Sequence, residues 1–388
     1  MREEYKYYIL QFVIRNMKKI EVNSNYLEID KRKLMSHSNK VEMYLKGEIP
    51  IPITLEIQPT EKCNCNCPHC QSRNYFTETE RNKKIKQGVD LDLQLLKKIL
   101  KRPPDNIIIS GTTGEPLLHP QINELFMLLM ENNIPITLIT NGICIDHNLA
   151  RNIVAGCTTV RVSLDSVDDV SYSMSHAVEK SYWYKAINSI ILLVNEKSKN
   201  NSKCRIGIGY LTNSGSNDIE KVVLLARQLG VDFIDFRPFQ EDRGLPVNPT
   251  ILKSIYENKK YETDVFKINS SHQKYHTISA IERMYNYCYC SYFYTLLDPN
   301  GDLYLCCNRV GDEAAKYGSL KEVPDWEVCL NSHIKKEKAG KIESCNLGCR
   351  LHTYNIVLDE LVNNLDHSNL AYAEFTLSNE KLTAWECI

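Results

Sequence analysis

The segment Thr60-Glu61-Lys62-Cys63-Asn64-Cys65-Asn66-Cys67-Pro68-His69-Cys70 gathers four thiols and an imidazole on one short stretch. The spacing Cys63-x3-Cys67-x2-Cys70 provides three thiolates, which can hold three irons of a [4Fe–4S] cluster and leave the fourth without a protein ligand. Such an iron is open to a substrate or cofactor. Zinc is the alternative for this loop taken alone, because zinc wants four Cys or His ligands and His69 offers a fourth. Cys65 is a further thiol within reach of either metal.

A second group of thiols lies far downstream. Cys288 precedes Gly301 with twelve residues between them, and Cys306 follows Gly301 with four between. Cys345-Asn346-Leu347-Gly348-Cys349 comes later, and Cys290 and Cys307 sit close to the first two. Four thiolates also suit a zinc knuckle, so the chemistry of this group is open at this point. Cys144, Cys157, Cys204 and Cys329 stand alone and read as packing residues, and Cys387 has no evident partner.

The elements that must position these residues are legible from periodicity. Short runs rich in Ile, Val, Leu or Phe occur at 53–57, 106–110, 136–140, 159–164, 205–211 and 233–236. Each suits a strand covered on both faces. Between them, 90–101, 120–132, 147–155, 179–196 and 218–229 carry helical spacing, with Gly230 as the C-cap of the last. This alternation predicts a parallel α/β sheet with right-handed crossovers. Six units suit a partial (β/α)6 TIM-like barrel; an open doubly wound sheet is the alternative. The cysteine loop directly follows the first strand, on the end of a barrel that carries function. After Pro238 the alternation stops. Pro299-Asn300-Gly301 marks a hairpin between 292–298 and 302–306, and a helix is expected over 351–364.

Composition removes several classes. The 388 residues carry a formal net charge of -1, which gives no reason to expect a nucleic-acid partner. No apolar run approaches the roughly 18–20 residues of a membrane span, and the N-terminus lacks a signal-peptide core. Fifteen cysteines in a long chain without an export signal point to metal rather than disulfides, and to the cytoplasm. Neither a hydrolytic His/Asp/Ser set nor a Walker-type phosphate loop is present.

The cysteine loop and three later segments together resemble the radical S-adenosylmethionine (SAM) superfamily. Ser110-Gly111-Thr112-Thr113-Gly114-Glu115-Pro116, after the second strand, is similar to the family's Gly-Gly-Glu-Pro motif for the methionine amino group, departing from it at Thr113. Thr140-Asn141-Gly142 resembles the turn near the SAM ribose, and Arg161-Val162-Ser163-Leu164-Asp165 the segment whose serine meets the methionine carboxylate. His69 takes a position that is usually aromatic in the family. The resemblance covers about residues 50–240. It implies a [4Fe–4S] cluster on Cys63, Cys67 and Cys70, SAM bound near Gly114, Glu115, Asn141 and Ser163, and a flavodoxin- or ferredoxin-type reductant. One-electron reduction then cleaves SAM to a 5'-deoxyadenosyl radical that abstracts a substrate hydrogen.

The downstream thiols resemble a twitch domain, the shortened form of SPASM. That resemblance implies a second, auxiliary [4Fe–4S] cluster on Cys288, Cys306, Cys345 and Cys349, with Cys290 the alternative to Cys288. The expected domains are an N-terminal helical extension (1–50), the radical SAM partial barrel (51–240), a linker (241–287), the twitch/SPASM-like domain (288–364) and a tail (365–388). The resemblance also implies either a small polar substrate (a sugar, aminocyclitol or nucleoside-like molecule undergoing dehydrogenation, dehydration or epimerisation) or a ribosomal peptide or protein side chain. The small molecule is preferred here, since the apolar stretches ahead of the barrel, such as Tyr7–Ile14, are short for a leader-binding module. Asp165 and Arg237 are the catalytic candidates, with Tyr210 and Gln240 beside them at strand ends. Arg237 suits a carboxylate or phosphate.

Overall fold

The six apolar runs form β1 (Thr54–Ile57), β2 (Asn106–Ile109), β3 (Ile136–Thr140), β4 (Thr159–Ser163), β5 (Arg205–Thr212) and β6 (Phe233–Pro238). The structure is a computed structural model that describes residues 34, 36–74, 76–112, 114–212, 218–239, 249–270, 275, 285–342, 345, 349 and 351–365. The expectations for Tyr7–Ile14, Thr113, Gln240, Cys387 and the tail beyond 365 lie outside these residues.

Each strand pairs in parallel with the next, as right-handed crossovers demand. A seventh strand, β7 (Lys267–Ser270), continues the series in parallel beside β6. It falls in the stretch read as a linker. Its sequence Lys-Ile-Asn-Ser buries one apolar side chain, Ile268, so it carries no apolar run to announce it.

At the other end of the sheet β8 (Tyr294–Leu297) lies parallel to β1, with Thr54 opposite Tyr294 and Ile57 opposite Leu297. β9 (Asp302–Tyr304) and β10 (Lys316–Ser319) follow antiparallel. Gly301 makes the turn between β8 and β9 at φ 82°, a conformation that favours glycine. The ten strands run β10-β9-β8-β1-β2-β3-β4-β5-β6-β7 without closing, a partial TIM-like barrel whose sheet continues into the cysteine-rich C-terminal region.

The helices are α1 (Ser38–Leu45), α2 (Glu78–Gln87), α3 (Leu96–Leu100), α4 (Ile122–Glu131), α5 (His147–Gly156) and α6 (Asp169–His176). They continue as α7 (Ser181–Lys199), α8 (Ile219–Leu229), α9 (Pro249–Asn258), α10 (Trp326–Leu330), α11 (His333–Lys338) and α12 (His352–Leu365). Leu55, Ile107, Leu138, Val160, Ile206 and Ile234 pack with Phe126, Ile153, Ile190 and Val222 in one core. Full burial of each such side chain stabilises the fold by about 1.5–3 kcal/mol.

Because side chains alternate along a strand, these apolar residues leave Glu56, Arg161, Asp235 and Arg237 at the intervening positions. α1 ties the N-terminal side to the C-terminal region, with the Tyr44 ring 4.9 Å from Tyr292 and 5.5 Å from Phe293. Among the described residues no helix is long and apolar enough to cross a membrane.

Candidate active site at the strand ends

The C-terminal ends of β1 to β6 surround a cavity of about 320 Å³, and Cys63, Cys67 and Cys70 lie on its wall. Their loop is held from both sides. The Cys63 amide donates to the Ile85 carbonyl of α2 at 3.1 Å, and the Asn66 amide donates to the His176 carbonyl of α6 at 3.1 Å. Arg73 Nε donates to the Cys67 carbonyl at 3.0 Å. Arg81, 2% exposed, donates through Nε to Ser72 Oγ at 2.9 Å and through Nη1 to Asn66 Oδ1.

None of these braces was expected from the sequence. The one local signal was the capping box of α2, in which Thr77 and Glu80 bond each other's backbone. Within the loop, the hydrogen bond from Cys65 holds the Cys63 thiol below its usual range. The same bond, with Cys67 and burial, drives Cys65 far above it.

The segment after β2 lies directly against this loop. A Cβ on Gly114 would stand 2.1 Å from the Thr60 carbonyl oxygen and 2.8 Å from that of Lys62. Only a glycine allows this backbone approach. The Glu115 amide donates to the Lys62 carbonyl at 2.7 Å. The Glu115 carboxyl is buried and accepts from the Asn141 amide at 2.8 Å, the Leu117 amide at 3.2 Å and the Thr140 hydroxyl. Burial raises its pKa to about 7 against the pull of those donors. Asn141 Nδ2 reaches Asn64 Oδ1 at 2.6 Å, closing the ring of loops after β1, β2 and β3. Gly114, Glu115 and Asn141 thus come together, and Ser163 at the end of β4 lines the same cavity.

Asp165 also lies on the cavity wall, with left-handed backbone at φ 51°. Its Oδ1 accepts from the Leu211 amide at 2.7 Å, and its Oδ2 stands 3.9 Å from His69 Nε2 and 4.0 Å from His176 Nε2. Burial raises the carboxyl to about 6 and lowers both imidazoles to about 4. At neutral pH two uncharged rings flank a largely ionised carboxylate.

On the neighbouring strands Asp235 Oδ2 accepts from Arg161 Nη1 at 3.1 Å and from Arg237 Nε at 2.6 Å. Arg161 extends over β5 where Gly209 leaves room, since a Cβ there would be 3.3 Å from its Nε. Both guanidiniums line the cavity. Arg161 and its link to Asp235 were not foreseen, because only the sheet register sets Arg161 opposite Gly207 and Gly209 opposite Asp235. Glu56, 2% exposed, lines the same cavity and accepts from Ser110 Oγ at 2.5 Å and from the Tyr294 hydroxyl of β8.

The downstream thiols form a second neighbourhood. Burial pushes the Cys288 thiol up to about 11, Cys345 adds to that shift, and Asn355 Nδ2 donates to its sulfur at 3.6 Å. Cys349 is raised by burial and by neighbouring Cys288 and Cys345. Cys306 is raised by a hydrogen bond with Cys307, by burial, and by Cys349 and Cys345. Cys290 turns instead to the Leu351 carbonyl at 3.6 Å. Cys307 and Asn308 reach back to the first cavity, where Gln71 Nε2 donates to Asn308 Oδ1 at 3.0 Å.

Among the described residues no three Cys, His, Asp or Glu side chains close into a ready coordination shell. The donor set still fits an iron–sulfur cluster. The three thiols of the first loop are partly exposed towards a common cavity, and one of them is already acidified.

A β/α partial barrel with this loop at its strand ends defines a class of enzyme. Residues 57–226 match the Radical SAM superfamily. Those residues form a radical SAM domain, and the protein is an enzyme with a [4Fe–4S] cluster and SAM as its cofactors. It is 23% identical over 297 residues to a GTP 3',8-cyclase of Clostridium perfringens, covering 72% of this chain and 83% of that one. In fold it is similar to SuiB of Streptococcus suis bound to S-adenosylmethionine, with a TM-score of 0.55, 16% identity, and 82% and 74% of the two chains covered. Native anSMEcpe with bound AdoMet and Cp18Cys peptide gives a TM-score of 0.52 and 16% identity, covering 81% and 96%.

Proposed function

We propose that the enzyme acts on a small polar substrate, sugar-, aminocyclitol- or nucleoside-like, that carries an anionic group. The observation behind this reading is the Arg161–Asp235–Arg237 cluster on the cavity wall, two guanidiniums sharing one carboxylate. With one positive charge in excess, the cluster suits a phosphate or carboxylate held through paired N–H donors. The likeness to a GTP 3',8-cyclase is consistent with that substrate class.

When bound, the reduced cluster and SAM supply the 5'-deoxyadenosyl radical that removes a hydrogen atom from the substrate. The residues of this chain hold and orient. Cys63, Cys67 and Cys70 would ligate the cluster, while Gly114, Glu115, Asn141 and Ser163 would shape the SAM seat. Arg161 and Arg237 fix the anionic end of the substrate. Asp165, on the wall of the same cavity, would serve as hydrogen-bond acceptor or base. Cys288, Cys306, Cys345 and Cys349 are assigned to an auxiliary [4Fe–4S] cluster. We place the protein in the cytoplasm, with a flavodoxin- or ferredoxin-type protein as its reductant.

The test is dithionite-dependent 5'-deoxyadenosine formation by anaerobically reconstituted enzyme, screened against nucleoside phosphates, sugar phosphates and aminocyclitols. An anionic member of the panel should accelerate cleavage. Arg237→Ala should then raise its KM by about 10–100-fold, the loss of a charge-assisted pair worth roughly 1.5–3 kcal/mol. Acceleration by a peptide alone would replace this reading with that of a peptide-modifying enzyme.

A further inference from the structure

Cys306 and Cys307 are adjacent in sequence and their thiols are hydrogen-bonded to each other, but of the two only Cys307 lines the cavity. Cys306 is pushed up by its neighbours Cys307, Cys349 and Cys345, in the downstream group of thiols. Cys307, 4% exposed, contributes to the wall of the cavity that holds Cys63, Cys67 and Cys70. Its sulfur lies 3.6 Å from Asn308 Oδ1, the same oxygen that accepts from Gln71 Nε2 at 3.0 Å just past the cluster loop. The short helical turn Cys307–Arg309 is fixed further by Arg309, whose Nε and Nη2 donate to Asp312 at 2.8 and 2.6 Å. The thiol is thereby held at the reaction cavity from the C-terminal side by a direct link to the loop of the first cluster.

We infer that Cys307 is a hydrogen-atom donor to radicals formed in this cavity, so that the substrate radical is quenched by its S–H. This deepens the proposed function and rests on it. An S–H bond is weaker than an alkyl C–H bond, so transfer from sulfur to a carbon radical runs downhill. In the step the Cys307 S–H bond breaks and a substrate C–H bond forms, leaving a thiyl radical. One electron from the low-potential one-electron donor that drives the enzyme, and one solvent proton, restore the thiol. The substrate leaves with its hydrogen count unchanged and with a new hydrogen of solvent origin. That outcome is an epimerisation, one of the reaction types open to a polyhydroxylated substrate.

The experiment needs no substrate. Reconstituted holoenzyme in D2O is given SAM and dithionite alone, so that the deoxyadenosyl radical itself is offered the exchanged S–D bond. The 5'-deoxyadenosine is analysed by mass spectrometry, and iron and sulfide are counted in parallel. Wild type should yield monodeuterated 5'-deoxyadenosine. Cys307→Ser, which keeps the size but replaces the weak S–H by a strong O–H, should lose most of that deuterium with iron and sulfide unchanged. Cys307→Ala should behave alike.

Deuterium unchanged in both variants would overturn the inference. Loss of iron in both would overturn it differently, making Cys307 a cluster ligand. A wild-type enzyme that forms no 5'-deoxyadenosine would overturn the radical reading together with this one. Deuterium transfer lost in the variants, with no anionic small molecule accelerating cleavage, would keep Cys307 and remove only the proposed substrate class.

Discussion

The two cysteine sites are built in opposite ways. At the barrel mouth three thiols come from eight consecutive residues, stay partly exposed, and are braced by arginines that hydrogen-bond backbone and amide oxygens. In the C-terminal region Cys288, Cys306 and the pair Cys345 and Cys349 come from three separate stretches of chain; burial raises Cys288 and Cys349 above the ordinary thiol range, and the hydrogen bond with Cys307 together with burial raises Cys306. A loop that leaves its thiols facing a cavity suits a cluster with an exchangeable position, which must admit a ligand at every turnover. Thiols gathered from distant segments, three of them partly exposed and only Cys349 buried, are brought together by the tertiary fold alone. The first arrangement places function in local sequence, whereas the second places it in tertiary structure.

The largest expected effect breaks the mouth alone. Gly114→Ala puts a Cβ 2.1 Å from the Thr60 carbonyl oxygen, and backbone cannot yield as a side-chain tip can. SAM affinity should fall by about 100-fold or more, as expected when overpacking costs some 3 kcal/mol. Titration of the reconstituted protein with SAM, followed by the EPR signal of its cluster, reads this. Iron at the downstream thiols should remain, so a variant that loses all its iron would show that the two sites are not independent.

Charge burial sharpens the same comparison, because each region buries a basic side chain that forms no ion pair among the described residues. Arg81 at the mouth keeps hydrogen bonds to Ser72 and Asn66. Arg81→Ala should destabilise the protein by about 2–4 kcal/mol through the lost bonds and packing. Denaturant unfolding would show this, along with faster iron loss from the mouth.

Lys335 on α11 is fully buried, and its Nζ has no hydrogen-bond partner among the described residues; it stands 4.8 Å from the centre of the Tyr317 ring and 5.9 Å from that of Tyr292. Burial lowers its pKa to about 7. The unfolded chain binds this proton up to its ordinary pKa near 10.4 and the folded chain only below about 7, so stability rises as pH climbs between the two. Lys335→Met should flatten that rise and add on the order of 2–4 kcal/mol at pH 7 and below. Unfolding midpoints from pH 6 to 10 check it, and a variant no more stable than wild type would mean that the ring faces offset the burial of the charge.

The mouth was largely legible because chain order and spatial order coincide there. Each recognisable segment follows a strand, so finding the strands placed Cys63, Glu115, Asn141 and Asp165 on one face. What escaped depends on register or on residues without apolar periodicity. α2 buries only Arg81, so no hydrophobic stripe outlined it, although its Thr77–Glu80 capping box was available as a signal. Glu56 could have been noticed as an acid inside an otherwise apolar strand. The Arg161–Asp235 pair needs β4, β5 and β6 aligned before it exists, and Cys307 needs β8 docked against β1. Sequence spacing drew attention to Cys306 and passed over its neighbour.

Asp165 offers the smallest and most local test, since it combines two costs in one residue at the mouth. Its backbone is left-handed at φ 51°, where Asp and Asn are better tolerated than most side chains. Its carboxyl is raised to about 6 by burial. Between the ordinary value near 3.9 and about 6, the folded state holds a proton that the unfolded chain has released, so stability falls as pH rises through this window. Asp165→Asn keeps the backbone preference and can still accept from the Leu211 amide through Oδ1. It removes the ionisation, so the fall with pH should be reduced and the variant should gain about 1–3 kcal/mol at pH 7 relative to pH 4. Denaturant unfolding of the cofactor-free chain at both pH values measures this gain. If the variant binds SAM as wild type does but fails to turn over the anionic substrate, the ionised carboxylate is needed for reaction, and its burial is a stability cost retained for function.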